Sequence, residues 1–210
     1  MNVVILLYEN MTLLDAIGPY EVLRCVPGFD VRFVSVDGGA IRPDSQALAL
    51  QPTAAIESVT AADVLVVPGG PGDAGVRTDE RILSWLRAID ATTQRTTSVC
   101  TGSLILAAAG LLQGRQATTH WMAHDQLAAL GARPSEQRVV ADGKYVTAAG
   151  VSAGIDMALS LLGQLVGDEV AQAVQLAIEY DPQPPYDAGS PRKAPAAAVD
   201  LVQAAAAGMF

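Results

Sequence analysis

The chain has 210 residues, half of them hydrophobic and few aromatic, with a formal net charge of −9. That length suits one α/β domain with a sizeable core and leaves no room for two full domains. The 13 Lys and Arg residues are scattered, which argues against a nucleic-acid or anionic-membrane partner.

Asn2–Leu7 (N-V-V-I-L-L) reads as a fully buried parallel strand. It begins at once and lacks the basic region of a signal peptide, and no apolar run is long enough to span a bilayer. The run T-L-L-D-A-I-G-P-Y-E-V-L-R then opens a helix with Thr12 as N-cap. Asp15, three residues on, has the spacing of a capping box. It also stands at the C-terminal edge of the first strand, where doubly wound sheets hold ligands. The two roles compete, because a carboxyl folded back on its own backbone has little freedom to reach a substrate.

Cys25, at the end of that helix, reads as inert packing. With Cys100 as the other cysteine, there is neither a C-x-x-C pair nor a disulfide framework. A reducing cytoplasm is the expected compartment. Phe29–Val36 predicts a second strand, Asp37–Leu50 an excursion with a small hairpin, and Asp63–Val67 a third, buried strand. P-G-G-P-G follows at Pro68–Gly72. It is neither a phosphate loop nor a dinucleotide fingerprint. Glycines at a strand's C-terminal end suit an oxyanion-type role for the backbone N–H groups. Asp79–Asp90 has helical spacing, with Ile82, Leu83, Leu86 and Ile89 on one face.

Thr96–Cys100 is a β-branched run that passes through Thr101, Gly102 and Ser103 directly into an apolar helix closed by Gly110. This is the pattern of a nucleophile elbow. The helix's unpaired N–H groups would lower the Cys100 pKa, predicting a thiolate near neutral pH. A small buried hydrophobe at a strand end is the bland alternative. Ala117–His120 predicts a short strand, with a helix from Trp121 to Gly131. His120 and His124 lie one turn apart, but no further ligand completes a metal site. Asp142–Gly143 marks a two-residue hairpin between Arg138–Ala141 and Lys144–Ala148. G-V-S-A-G at Gly150–Gly154 opens a helix over Ile155–Val166, and another runs from Asp168 towards Tyr180. The proline-rich Asp181–Pro191 must lie extended, against this chain or a second subunit. Ala196–Ala207 predicts a final helix.

Strands and helices alternate, so the expected fold is a flavodoxin-like, doubly wound, mostly parallel α/β sheet with helices on both faces. The whole of 1–210 reads as one domain, with 181–210 as a proline-rich segment and C-terminal helix. Asp15, Gly69–Gly70, Cys100 and His120 are all expected at strand C-terminal ends. That convergence favours Cys100 as a nucleophile.

D-A-I-G-P-Y-E-V-L, V-V-P-G-G-P-G, S-V-C-T-G-S-L-I-L-A-A-A-G-L-L and A-T-T-H-W together resemble the ThiJ/PfpI family of the class I glutamine amidotransferase-like superfamily. The C-terminal I-E-Y-D-P-Q-P-P-Y-D-A-G-S-P is similar to its branch that hydrates isonitriles to N-substituted formamides. The resemblance implies catalytic roles for Asp15, Cys100 and Thr101, no cofactor, no metal, a small-molecule isonitrile substrate and a homodimer. It departs from the family's proteases, which place a His after the Cys where this chain has Thr101. It departs from the amidotransferases too, which need a late His–Glu pair. Regulators of the family append a helix-turn-helix region for which this chain has no room. On that chemistry Cys100 forms a thioimidate and Asp15 moves protons, while Thr101 orients water. The N–H groups of Gly70 and Thr101 hold developing negative charge. The substrate would touch Gly69, Gly70, His120, Val151 and Ile155 in a small apolar pocket. A glyoxalase-like thiol reaction and a non-catalytic ligand or redox sensor based on Cys100 are the alternatives.

Overall fold

A computed structural model describes residues 1–207, which divide into two compact units, Met1–Ile178 and the segment from Glu179 onward. The first unit runs β1 (Asn2–Leu6), α1 (Leu13–Leu23), β2 (Asp30–Ser35), β3 (Ala54–Ala55), β4 (Val64–Val67), α2 (Asp73–Val76) and α3 (Glu80–Asp90). It continues through β5 (Arg95–Val99), α4 (Gly102–Ala108), β6 (Gln116–Ala117), α5 (His124–Ala129), β7 (Arg133–Pro134), β8 (Val139–Asp142), β9 (Tyr145–Ala148), α6 (Ala153–Val166) and α7 (Asp168–Ala177).

Seven strands form one sheet in the order β3-β2-β1-β4-β5-β9-β8. All neighbours are parallel except in the β8–β9 hairpin, where Asp142 pairs with Tyr145 and the two-residue turn is Gly143–Lys144, one residue on from the expected Asp142–Gly143, with Gly143 at φ 65°. The central strands carry runs such as V-L-V-V in β4, buried at every position, as expected when helices cover both faces of a parallel sheet. Each large aliphatic side chain buried this way contributes roughly 1.5–3 kcal/mol. The chain goes from β1 outward to β2, then returns across β1 to β4. That reversal opens a crevice at the C-terminal ends of β1 and β4, where ligands bind in such sheets.

Helix α3 forms as its spacing predicts. Asp79 caps it by accepting from the Arg81 N–H at 2.9 Å, and Ile82, Leu83, Leu86 and Ile89 face the core. Helices α1 and α6 approach closely because Gly18 and Gly154 leave room. A Cβ on Gly18 would lie 3.1 Å from Ile155 Cγ1, and one on Gly154 would lie 3.2 Å from the Pro19 ring.

Three further expectations need correction. The hairpin expected over Asp37–Leu50 is a single antiparallel bridge between Ile41 and Leu50, because Pro43, just after Ile41, has no N–H to extend the ladder. The strand expected to end at His120 stops at Ala117 and pairs only with β7, outside the main sheet. The helix expected from Trp121 begins as a 3₁₀ turn, Trp121–Ala123, before α5. In the second unit, the proline-rich 181–191 carries neither helix nor strand, and α8 spans Ala196–Ala207. Among the described residues no helix is long and apolar enough to cross a membrane.

Candidate active site

Strand β5 delivers Cys100 to the sheet's C-terminal edge and α4 begins two residues later. Cys100 itself sits at φ 56°, in the left-handed region, a conformation that costs a side-chain-bearing residue about 1–2 kcal/mol. Four hydrogen bonds hold it there. Its N–H is shared between the carbonyls of Ala148 and Ala149, at 3.1 and 3.0 Å. Its carbonyl accepts from Ser103 Oγ at 3.2 Å and Thr119 Oγ1 at 2.9 Å. Gly102 has no space for a Cβ, which would fall 2.0 Å from the Val67 carbonyl oxygen. The helix start therefore rests directly on the end of β4, and the elbow is sterically determined.

Asp15 lies in the first turn of α1 and is fully buried. The expected capping box does not form. Thr12 makes no side-chain cap and instead donates to Asp44 at 2.9 Å. The Asp15 carboxyl turns inward, where Oδ2 accepts from the Gly69 N–H at 2.9 Å. Oδ1 has no hydrogen-bond partner among the described residues. Burial pushes the carboxyl pKa up to about 7, against the Gly69 N–H and the neighbouring Cys100 thiol, which favour the carboxylate.

The Cys100 thiol is pushed well above its ordinary value, by burial first and by the Asp15 charge second. The N–H groups of Thr101 and Val151 pull the other way and lose. A resting thiolate, expected from the helix N-terminus, is thus overturned: desolvation outweighs two oriented N–H groups. What the site holds instead is a protonated thiol beside a carboxyl poised to exchange a proton near neutral pH.

Thr101 follows the elbow, half-buried, and its Oγ1 accepts from the Gly70 N–H at 2.9 Å. The N–H groups of Gly69 and Gly70 thus bind the side chains of Asp15 and Thr101 rather than facing open space. Neither glycine tolerates a Cβ: at Gly69 it would meet Thr101 N at 2.4 Å, and at Gly70 it would meet Thr12 N at 2.3 Å. The P-G-G-P-G loop is the keystone between the β1–α1 turn and the elbow. Tyr8 lies buried beside them, its hydroxyl donating to the Pro68 carbonyl at 3.0 Å.

His120 is half-buried, and its ring packs so near Gly150 that a Cβ there would come within 2.7 Å of its Cδ2. Its Nδ1 accepts weakly from the Met122 N–H at 3.4 Å, which leaves the neutral ring's proton on Nε2. Burial, then His124, lowers its pKa and keeps it neutral. Val151, at φ 39°, contributes a backbone N–H to Cys100. Ile155 packs between α6 and α1 on Gly18. Cys25 is half-buried and donates to the Glu21 carbonyl, away from this chemistry.

One participant escaped the sequence reading. Asp73 is buried beside Thr101 and ion-paired with Arg77, its Oδ1 lying 2.6 Å from Arg77 Nε. The acid directly after P-G-G-P-G, with a base four residues later, was the available signal. A cleft of about 410 Å³ opens nearby between the ends of β1 and β2, lined by Glu9, Ser35, Asp37, Ile41 and Asp79 among others. It includes none of Asp15, Cys100 and Thr101, so its volume carries no weight against the convergence at the elbow. Among the described residues, no group of three or more His, Cys, Asp and Glu is arranged to hold a metal.

The sequence that builds this site matches the DJ-1/PfpI family over residues 1–164. The chain belongs to the DJ-1/PfpI family. Within that family it is 48% identical over 202 residues to an isonitrile hydratase of Pseudomonas putida, covering 96% of this chain and 88% of the relative. The crystal structure of a ThiJ/PfpI family protein from Pseudomonas syringae superposes with a TM-score of 0.94 at 38% identity, covering 99% of this chain and 87% of that one. A more distant relative, the HTH-type transcriptional regulator CdhR of Pseudomonas aeruginosa, is 31% identical over 80% of this chain, and the match spans 52% of that regulator.

Proposed function

We propose that this protein is an isonitrile hydratase acting through Cys100, with Asp15 as the proton carrier and Thr101 orienting water. The observation that carries the reading is the Asp15–Cys100 pair: a thiol kept protonated beside a carboxyl that titrates near 7, in a chain 48% identical to an isonitrile hydratase.

The terminal carbon of an isonitrile must receive both a nucleophile and a proton. A free thiolate supplies only the first. Asp15, as carboxylate, takes the Cys100 proton as the sulfur–carbon bond forms, then passes that proton to the same carbon. The product is a neutral thioimidate on Cys100. In the second half, water adds to the thioimidate carbon. Asp15 takes a proton from the water and delivers one to the nitrogen. Collapse of the tetrahedral adduct breaks the carbon–sulfur bond, and the hydroxyl proton returns through Asp15 to the sulfur. One water is consumed, one formamide leaves, and thiol and carboxylate are restored. A carboxyl with a pKa near the working pH serves both directions of transfer. Gly69 and Gly70 serve through the side chains that their N–H groups hold. His120, Val151 and Ile155 border the substrate.

The test is cofactor-free turnover of a small aliphatic isonitrile alongside methylglyoxal. Formamide from the first and no lactate from the second is the expected result; the reverse would reassign the site to glyoxalase-like chemistry. A redox-sensing role is disfavoured because oxidation follows thiolate character and exposure, and Cys100 has neither. We further propose a homodimer in the cytoplasm. Light scattering on an eluting peak should give about twice the 21.7 kDa of one chain, and a mass near 21.7 kDa would refute the dimer.

A further inference from the structure

Asp73 is a buried carboxylate that the chemistry above leaves unused. It is 5% exposed, at the start of α2, where its N–H donates to the Gly70 carbonyl at 3.0 Å. Its partner Arg77, one turn later, is itself three-quarters buried at the side chain. Gly70 therefore links the two residues: its carbonyl ties down Asp73, and its N–H donates to Thr101 Oγ1 at 2.9 Å. The other acceptor near that hydroxyl, the Gly70 carbonyl, is 3.4 Å away, too long for a good O–H···O bond. An ionised carboxylate is the stronger acceptor for the hydroxyl proton.

We propose that Asp73, fixed by Arg77, is a positioning residue for the hydrolytic half of the reaction. It draws the Thr101 hydroxyl proton inward, so that the remaining lone pair of Oγ1 faces the thioimidate and accepts from the attacking water. Thr101 Oγ1 has one proton and two lone pairs. With the Gly70 N–H on one lone pair and the proton directed to Asp73, a single acceptor site is left, with a fixed direction. Water held there has one proton on Thr101 and the other free for Asp15. No proton is transferred to Asp73, and thioimidate formation needs neither Thr101 nor Asp73. Two further features place Asp73 in the site. Burial raises the Asp73 pKa, and Arg77 and the Thr101 side chain oppose that rise. Burial raises the pKa of Tyr8 first, and the charges of Asp73 and Asp15 add to that rise.

The proposal rests on the hydratase reading, and the experiment separates the two. Wild type, Asp73→Asn, Thr101→Val and the double variant are assayed with cyclohexyl isonitrile, and quenched reactions are weighed by intact-protein mass spectrometry. Asp73→Asn keeps the side-chain volume and should fold as wild type does by thermal melting. It should lower kcat roughly 10- to 100-fold, the scale of a misplaced reacting group, with KM within about twofold for a binding step left intact. Most of the quenched enzyme should carry the mass of one isonitrile on Cys100, whereas wild type should be mostly unmodified. The double variant should lose little beyond Thr101→Val, since the two residues act as a unit. Turnover of Asp73→Asn equal to wild type would overturn the proposal. So would losses that multiply in the double variant, or a lowered kcat without accumulated adduct. Absence of formamide from the wild type would overturn the hydratase reading itself, and this proposal with it.

Discussion

Folding makes Asp15 a weaker acid, and that is what fits it to carry protons. Its pKa rises from 3.8 to about 7 because burial strips water from the carboxylate faster than the Gly69 N–H and the Cys100 thiol replace it. Between those two pH values the folded state binds more protons than the unfolded one. Stability is therefore greatest below about pH 4 as far as this group is concerned, and it is lost as pH rises through 7, by at most roughly 4 kcal/mol. Asp15→Asn should remove that slope. In urea titrations at pH 5 and pH 8 the variant should gain stability relative to wild type by a few kcal/mol on going to pH 8, and parallel pH dependences would contradict the burial argument. Activity has the opposite sign. The carboxylate is needed to take the thiol proton, so kcat/KM should rise through an apparent pKa near 7 and stay level above it. That value belongs to the coupled pair. A profile that falls through pH 7 would mean that the protonated acid starts the reaction. At this scale Cys100 and Asp15 were legible from residue type and placement at strand ends. Their ionisation was not, because helix N-termini can be read in a sequence while desolvation depends on what packs around them.

Among the elements, those with strong local signals formed where expected. Helix α3 has an apolar face and a capping Asp79, β4 is uniformly apolar, and the β8–β9 hairpin turns at Gly143–Lys144, one residue beyond the Asp-Gly read from the sequence. The capping box at Thr12 and Asp15 was a false local signal, overridden by a long-range bond from the Gly69 N–H to the Asp15 carboxyl. The P-G-G-P-G loop was read as a donor of N–H groups to a ligand. Its glycines are needed because three chain segments cross there without room for a methyl group. Such crowding has no signature in one sequence. Gly69→Ala should therefore lose both fold and function: a Cβ 2.4 Å from Thr101 N and 2.9 Å from Cys100 Cβ meets backbone that cannot yield. A destabilisation of about 2 kcal/mol or more is expected, together with a collapse of kcat, by denaturant titration and turnover. A variant as stable as wild type would show that the loop can shift.

At the scale of the whole first unit, the sheet separates chemistry from support. The reactive residues gather at the C-terminal ends of the strands. At the opposite ends, Asp90 binds Thr96 Oγ1 at 2.7 Å, Tyr145 Oη at 3.1 Å and Lys144 Nζ at 3.0 Å. That cluster joins α3 to the starts of β5 and β9. Asp90→Ala leaves a half-buried ammonium and two hydroxyls without their acceptor. It should cost about 2–4 kcal/mol while kcat stays near wild type well below the melting temperature. A drop in kcat without loss of stability would show coupling across the sheet. The alternation of apolar runs and helical spacing made the doubly wound fold class legible, whereas the two-residue strands β3, β6 and β7 are too short to stand out from loops.

The most direct measurement is the appearance of N-cyclohexylformamide by NMR when cyclohexyl isonitrile is added to wild type, Asp15→Ala and Cys100→Ala. The account predicts turnover by wild type and none by either variant, with both variants folded. Formamide produced by Cys100→Ala at a rate comparable to wild type would contradict the covalent mechanism at its root.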